Sequence, residues 1–430
     1  MRAPILSLRL RLRSFPLLAT ILCAALVLAA PARAQIENAP LLVADLDTGR
    51  VLFERNAAGL WFPASLTKLM TAYVALDAAR QGRLGMSSLL NVSAQAAAMP
   101  PSKMGFPPGS QITLQNALKI IMVRSANDVA VTIAENVSGS HEAFVREMNA
   151  TAARLGLGDT RFANASGLPD AAKRTSARDM ALLAQALWRD FPNERWLWGM
   201  QSIVYGNNVM NNHNGIIGRY PGATGMKTGY ICSSGFNVVA TAQRGGRNLV
   251  AVVLGQMTAN ERTALTASLL EYGFTAPGWF GGTLADLPRT REAAPPDLRP
   301  IVCDPNRPRN QGEDHNDVAA VAVSRVTSGA LGFAAGPRLP VVELPARRVA
   351  EPVRVHLGLP AGAVAGPAPA APAAPATTRQ AELGSGLPLD ILPPARGPLI
   401  DLGRPAPAAA APVSRATSPG RLPPPRPAGL

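Results

Sequence analysis

Pro63-Ala64-Ser65-Leu66-Thr67-Lys68-Leu69-Met70-Thr71 is the stretch on which the reading of this chain turns. After Pro63-Ala64, apolar residues Leu66, Leu69, Met70, Tyr73 and Leu76 recur at helical spacing, so a helix with a buried stripe is expected to start at Ser65. A spacing of three puts Ser65 and Lys68 on one helical face, within hydrogen-bond reach. A serine hydroxyl is a poor nucleophile alone, and a neutral amine beside it can act as its base. Burial and a second cation, Lys227, are expected to favour the neutral amine, and the helix N-terminus favours the negative charge that develops during attack. Taken in isolation, Ser65 would read as a helix cap and Lys68 as a solvated lysine.

Two later strings change that reading. Ser125-Ala126-Asn127 falls in a break between an apolar helix carrying Leu114, Leu118, Ile121 and Met122 and a second one over Val129–Asn136, for which Asp128 is the expected cap. A hydroxyl buried there can relay a proton to a leaving nitrogen, and an asparagine amide can hold a substrate peptide group. Lys227-Thr228-Gly229 opens an expected strand running to Ile231. Its cation and hydroxyl suit a carboxylate, and Gly229 lets substrate backbone approach as an added strand. Each string alone is an ordinary capping or strand-entry turn. Three in this order supply a nucleophile with an amine, a hydroxyl with an amide, and a cationic strand, which together make an acyl-transfer site.

Outward from these strings, the elements describe one α+β domain over residues 35–285. A hairpin is expected from Leu41–Leu46 and Val51–Glu54 around Asp47-Thr48-Gly49-Arg50. The proline-bearing stretch Gln95–Ser110 reads as a loop, followed by helices near Glu142–Arg154 and Ser176–Arg189. Strands return at Phe236–Gln243 and Asn248–Leu254 across a Gly245-Gly246 turn, and a helix over Asn260–Tyr272 closes the domain. Strands at both ends with helices between them imply an antiparallel sheet flanked by helices, its first and last strands paired, plus a helical subdomain.

The flanks differ in composition. Residues 1–34 read as an export signal: Arg2, Arg9, Arg11 and Arg13, an apolar run from Phe15 to Ala30, then Ala32-Arg33-Ala34 as a cleavage site. The alternative is a retained N-terminal anchor, for which the run is short. Residues 286–311 are expected to form an extended arm, with Leu298–Cys303 either a short strand or part of that arm. Residues 312–430, rich in Ala, Pro, Gly and Arg, bury too little to offset their ordering entropy and are expected to be disordered.

Loss of the signal removes five arginines and lowers the formal net charge from +14 to +9. The remaining cations are scattered, without blocks or interleaved aromatics, so nucleic acid is a poor partner. A mild attraction to envelope polyanions and a purely compositional bias fit equally well. Cys232 and Cys303 are the cysteines left in an oxidising compartment, and a bridge between them is expected over two lone thiols. His141, His213, His315 and His356 are scattered without ligand spacing, so no metal or other cofactor is expected. His213, within Asn211-Asn212-His213-Asn214, reads as a surface-loop histidine, with an approach to the site in the fold as the alternative.

On its three strings, and on Thr175-Ser176-Ala177-Arg178-Asp179-Met180-Ala181 and Gly235-Phe236-Asn237-Val238-Val239-Ala240, the chain resembles the low-molecular-weight penicillin-binding proteins, serine D-alanyl-D-alanine carboxypeptidases. The resemblance covers about residues 38–275 and implies a β-lactamase/transpeptidase-like fold. It implies that Ser65 attacks the carbonyl between two D-alanines of a peptidoglycan stem peptide, with Lys68 as base and Ser125 as proton relay. Backbone N–H groups of Ser65 and Tyr230 would form the oxyanion hole, Asn127, Lys227, Thr228 and Gly229 would hold substrate, and β-lactams would acylate Ser65 as inhibitors. Relatives often carry an arginine just past the last strand. Here Gly255-Gln256-Met257-Thr258 stands there, and Arg262 is the next candidate.

A β-lactamase needs a glutamate to activate its deacylating water; none occurs between Glu147 and Glu194, and Ala126 replaces the aspartate of the second motif. A D,D-endopeptidase cutting cross-links would use the same groups, and a non-catalytic envelope scaffold is the reading from a different class. The tail has no apolar stripe opposite a basic face, so it does not argue for a membrane anchor, and peripheral membrane association is left open.

Overall fold

The computed structural model describes residues 38–275, 282–306, 339–348 and 350–359, together with Gly362, Gly366 and Pro367. The expected export signal, and the tail beyond residue 367, lie outside the described residues.

Strands β1 (Leu41–Asp45) and β2 (Val51–Arg55) form the expected hairpin. The helical region follows: α1 (Thr67–Arg80), β3 (Leu89–Asn91), α2 (Ala94–Ala97), β4 (Gln111–Thr113), α3 (Leu114–Val123), α4 (Asn127–Ser138), α5 (His141–Arg154) and α6 (Ala177–Asp190). A second hairpin, β5 (Ser202–Tyr205) and β6 (Asn208–Asn211), precedes β7 (Ala223–Ile231), β8 (Gly235–Arg244) and β9 (Arg247–Gln256), and α7 (Ala259–Thr275) closes the domain. The main sheet is antiparallel with order β2-β1-β9-β8-β7, so its first and last strands pair as expected and β7 is an edge strand among the described residues.

Strand side chains alternate between faces, and β9 shows what each face buries. Val250, Val252 and Leu254 join the core under the helical region, while Leu249, Ala251 and Val253 join a second core with Leu265, Leu269 and Leu270 of α7. Burial on both faces explains why β8 and β9 are nearly continuous apolar runs.

Several sequence expectations need correction. Helix α1 is buried from Thr67 to Ala78, all round instead of along one stripe, because helices and sheet enclose it on every side. Asp128 is not the cap of α4. Ala126 holds that position, and the Asp128 carboxylate accepts from the backbone N–H groups of Met104 and Gly105. Within the expected loop at residues 95–110, Ala94–Ala97 form a helical turn capped by the Ser93 hydroxyl. Leu298–Cys303 is neither strand nor extended: Arg299–Val302 make one helical turn, α8.

The largest correction concerns the region expected to be disordered. Val353–Arg354 form β10, parallel to β5, and the Val355 N–H donates to Val204. Leu344 is buried in the α7-side core and Val355 in the helical one. The Arg347 guanidinium donates to the Asn212 and Asn214 carbonyls, and Asn116 donates to the His356 carbonyl. A few large apolar residues and one arginine suffice to order this part of a Pro/Ala-rich segment.

Candidate active site

Residues 61–63 deliver the nucleophile and are fixed from three directions. The Trp61 backbone pairs with Thr175, its indole donates to the Ser234 carbonyl at 2.9 Å, and Asn237 donates to the Phe62 carbonyl. Ala64–Leu66 then form a single tight turn ahead of α1. Ala64 has φ +48°, a left-handed conformation that L-residues rarely adopt and that costs of order 1–3 kcal/mol. Ser125 has φ +62°. Of the three non-glycine residues with such a φ among the described residues, Asn56 lies away from the cleft, while Ala64 stands beside the nucleophile and Ser125 carries a site hydroxyl.

Lys68 is fully buried, and its Nζ is 3.2 Å from Ser65 Oγ. It is 2.8 Å from Asn127 Oδ1 and also bonds the Ser166 carbonyl. Asn127 Oδ1 and Ser166 O are obligate acceptors and claim two N–H bonds. A neutral amine has two hydrogens, so its lone pair is left for the Ser65 hydroxyl. Asn127 Nδ2 donates to the Pro100 carbonyl and its backbone N–H to Ser102. Each end of the amide thus makes one bond within the protein, which braces Asn127, and the second Nδ2 hydrogen is still available to a ligand in the cavity that it lines.

Edge strand β7 packs directly on the nucleophile turn. A Cβ at Gly229 would lie 2.9 Å from the Ser65 nitrogen and 3.0 Å from the Pro63 oxygen, so only glycine permits this approach. Lys227 and Thr228 are buried beside it, and the Lys227 ammonium donates to the Thr228 carbonyl. Among the described residues, the buried hydroxyls of Ser125 and Thr228 have no hydrogen-bond partner. A cavity of about 220 Å³ brings together Ser65, Ser125, Asn127 and Tyr230, with Gly167 and His213 completing its walls. Among the described residues, no carboxylate lines it.

Several cleft residues escaped the sequence reading. His213 is buried at the cavity wall, not in a surface loop, because Arg262 behind it donates to its carbonyl at 2.9 Å and Arg347 grips the residues on either side. Arg262, the candidate carboxylate ligand, is itself buried behind His213 and is not a cavity-lining residue. Ser166 contributes through a backbone carbonyl, which carries no side-chain signature. Below this loop Lys173 donates to the Leu168 carbonyl, and burial pulls its ammonium down to about 7, partly opposed by Asp170.

Cys232 and Cys303 form a disulfide, closing a loop of 71 residues worth up to ~4 kcal/mol by chain entropy. It pins α8 next to β7, where the Tyr230 hydroxyl lies 3.3 Å from Cys303 Sγ and the Leu298 N–H donates to Ser233.

Comparison with known proteins agrees with this geometry. Residues 27–258 match the family described as D-alanyl-D-alanine carboxypeptidase. The chain belongs to that family. It is 36% identical over 233 residues to D-alanyl-D-alanine carboxypeptidase DacF of Bacillus subtilis, covering 53% of this chain and 60% of the relative. To DacA of Escherichia coli K12 it is 35% identical over 298 residues, covering 61% and 74%. Penicillin binding protein 5 from Haemophilus influenzae superposes with a TM-score of 0.53 at 31% identity, over 55% of this chain and 71% of that one. The family places the chain among enzymes of the bacterial cell wall. No described helix is long and apolar enough to cross a membrane.

Proposed function

We propose that this protein is a serine D-alanyl-D-alanine carboxypeptidase that trims the terminal D-alanine from peptidoglycan stem pentapeptides. The observation that carries the reading is the Lys68 amine, held by two obligate acceptors with Ser65 Oγ at 3.2 Å. Lys68 takes the proton as Ser65 Oγ attacks the carbonyl between the two D-alanines. The oxyanion forms against the backbone N–H groups of Ser65 and Tyr230, a reading supported by both residues lining one cavity. Ser125 relays that proton from Lys68 to the leaving nitrogen, D-alanine departs, the acyl group stays on Ser65 and Lys68 is neutral again. Water then attacks the ester with Lys68 as base and Ser65 recovers its proton from Lys68, since among the described residues no carboxylate lines the cleft to serve.

Substrate lies along the edge strand β7 as an added strand, its carboxylate met by Lys227 and Thr228. Asn127 positions Lys68 through its amide. β-Lactams acylate the same serine and leave slowly. The domain is exported to the envelope on the strength of residues 1–34 and works there on residues 35–285, with the following arm pinned by its disulfide. The test is product analysis with labelling. Wild type releases free D-alanine from a pentapeptide and takes up fluorescent penicillin, and Ser65→Ala does neither. Cleaved dimers from a cross-linked muropeptide without D-alanine release would make it an endopeptidase, and folded wild type that takes no label would end the enzyme reading.

A further inference from the structure

A larger cavity, about 760 Å³, lies between α5 and the loop that follows it, well outside the catalytic groups. Its floor includes the buried side chains of Leu157 and Phe162, and four arginines line it: Arg146, Arg161, Arg174 and Arg289. Among the described residues, no aspartate or glutamate lines it. None of the four guanidiniums makes an ion pair or side-chain hydrogen bond among the described residues.

The cluster is built by the fold and is not a chance of one helix face. Arg146 comes from α5 and Arg289 from the segment after α7. Arg161 and Arg174 stand directly opposite each other in an antiparallel bridge, with both backbone hydrogen bonds made. Directly opposed residues project to the same face, and like charges so placed repel. Arg289 lies so close over Gly158 that a Cβ there would fall 2.5 Å from its Cζ. An anion between the guanidiniums would relieve their repulsion, and each planar fork matches a carboxylate or phosphate. The net positive charge of the chain would steer such a ligand in.

We infer that this cavity is a second binding site, separate from Ser65, for a multivalent oxyanion: a ligand presenting two or more carboxylate or phosphate groups. Calorimetric titration of the full chain at about 50 mM salt tests it, because screening there is weak. One arm uses inorganic pyrophosphate, the other an N-acetylated disaccharide-tetrapeptide with free carboxylates. At least one probe is expected to bind wild type, and the Arg146→Gln/Arg289→Gln double variant to bind it about tenfold or more weakly. The Arg161→Gln/Arg174→Gln variant provides a second reading from the other wall. Loss confined to the pyrophosphate arm assigns a phosphate source, and loss in the peptide arm a carboxylate source. Absence of binding by both probes, or affinity unchanged in the folded Arg146→Gln/Arg289→Gln variant, overturns the site. The tetrapeptide is also the product of the proposed peptidase reaction, so only the part of its binding lost in the arginine variants and kept in Lys227→Ala reports on this site, whereas the pyrophosphate arm does not depend on that reaction.

Discussion

Lys68 Nζ sits 2.8 Å from Asn127 Oδ1, joining the first helix of the domain to the break between α3 and α4. That bond helps to hold the amine beside Ser65 Oγ. Removing it by Asn127→Ala frees the amine to turn from the nucleophile and leaves the Pro100 carbonyl unpaired. General-base contributions of roughly 10²–10⁴-fold are at stake. Lys68→Met is expected to lose acylation by penicillin by that whole factor, and Asn127→Ala by roughly a tenth to a hundredth of it. Rates of fluorescent-penicillin labelling, with circular dichroism to confirm folding, distinguish a lost base from a misplaced one.

Gly167 illustrates how tightly the Ser166 loop is pressed on the nucleophile turn. It has φ +91°, and a Cβ there would meet the Ala64 carbonyl oxygen at 2.1 Å. Gly82 has a similar φ of +74° with nothing within 4 Å. Gly82→Ala is therefore expected to cost about 1 kcal/mol, the conformational penalty alone. Gly167→Ala must also move backbone beside Ser65, and is expected to cost clearly more and to slow acylation. Urea denaturation of the pair isolates the contact term.

Lys173 makes stability depend on pH. Burial sets its folded value near 7, below the ordinary 10.5. Between those values the unfolded chain holds a proton that the folded chain lacks, so stability rises with pH across the window. The slope contribution is at most about 1.4 kcal/mol per pH unit. Below pH 7 both states are protonated and the penalty for a buried ammonium is fully present. Lys173→Met is expected to flatten this part of the curve, and denaturant midpoints of both proteins from pH 6 to 9 check it.

Residues 339–348 and 350–359 are expected to be part of the folded unit. Leu344 is 2% exposed, so Leu344→Ala should cost about 2–4 kcal/mol, as in other cores. Arg347→Ala removes the two bonds that hold Asn212 and Asn214, and so loosens His213 at the cleft wall. It is expected to lower thermal stability and to alter pentapeptide KM more than labelling by a small penicillin. Equal, unchanged melting curves for both variants and wild type would count against the packing.

How much of this was legible in the sequence follows from where each signal resides. Ser65, Lys68, Ser125 and Lys227 sit in short strings whose local elements are themselves readable, so both fold and cleft could be anticipated from them. The sheet order followed from apolar runs at both ends. Ser166 acts through its backbone, and His213 is buried only because Arg262 and Arg347, 49 and 134 residues further along, close around it. Such long-range closure has no local periodicity. The tail segment misled for a related reason: its bulk composition is that of a disordered chain, while its order rests on Leu344, Arg347, Val353 and Val355.

Ser125 brings strain, burial and chemistry to one residue. Its hydroxyl lines the cleft and has no hydrogen-bond partner among the described residues. Ser125→Ala therefore takes no protein hydrogen bond away and keeps the backbone conformation, at φ +62°, equally strained. The free protein is expected to be as stable as wild type to within about 1 kcal/mol. The same change removes the proton relay to the leaving nitrogen, so release of D-alanine should fall by roughly 10²-fold or more. A variant that melts like wild type and turns over slower identifies the hydroxyl as one kept for substrate. Loss of stability together with activity would instead make Ser125 a structural residue of the α3–α4 break.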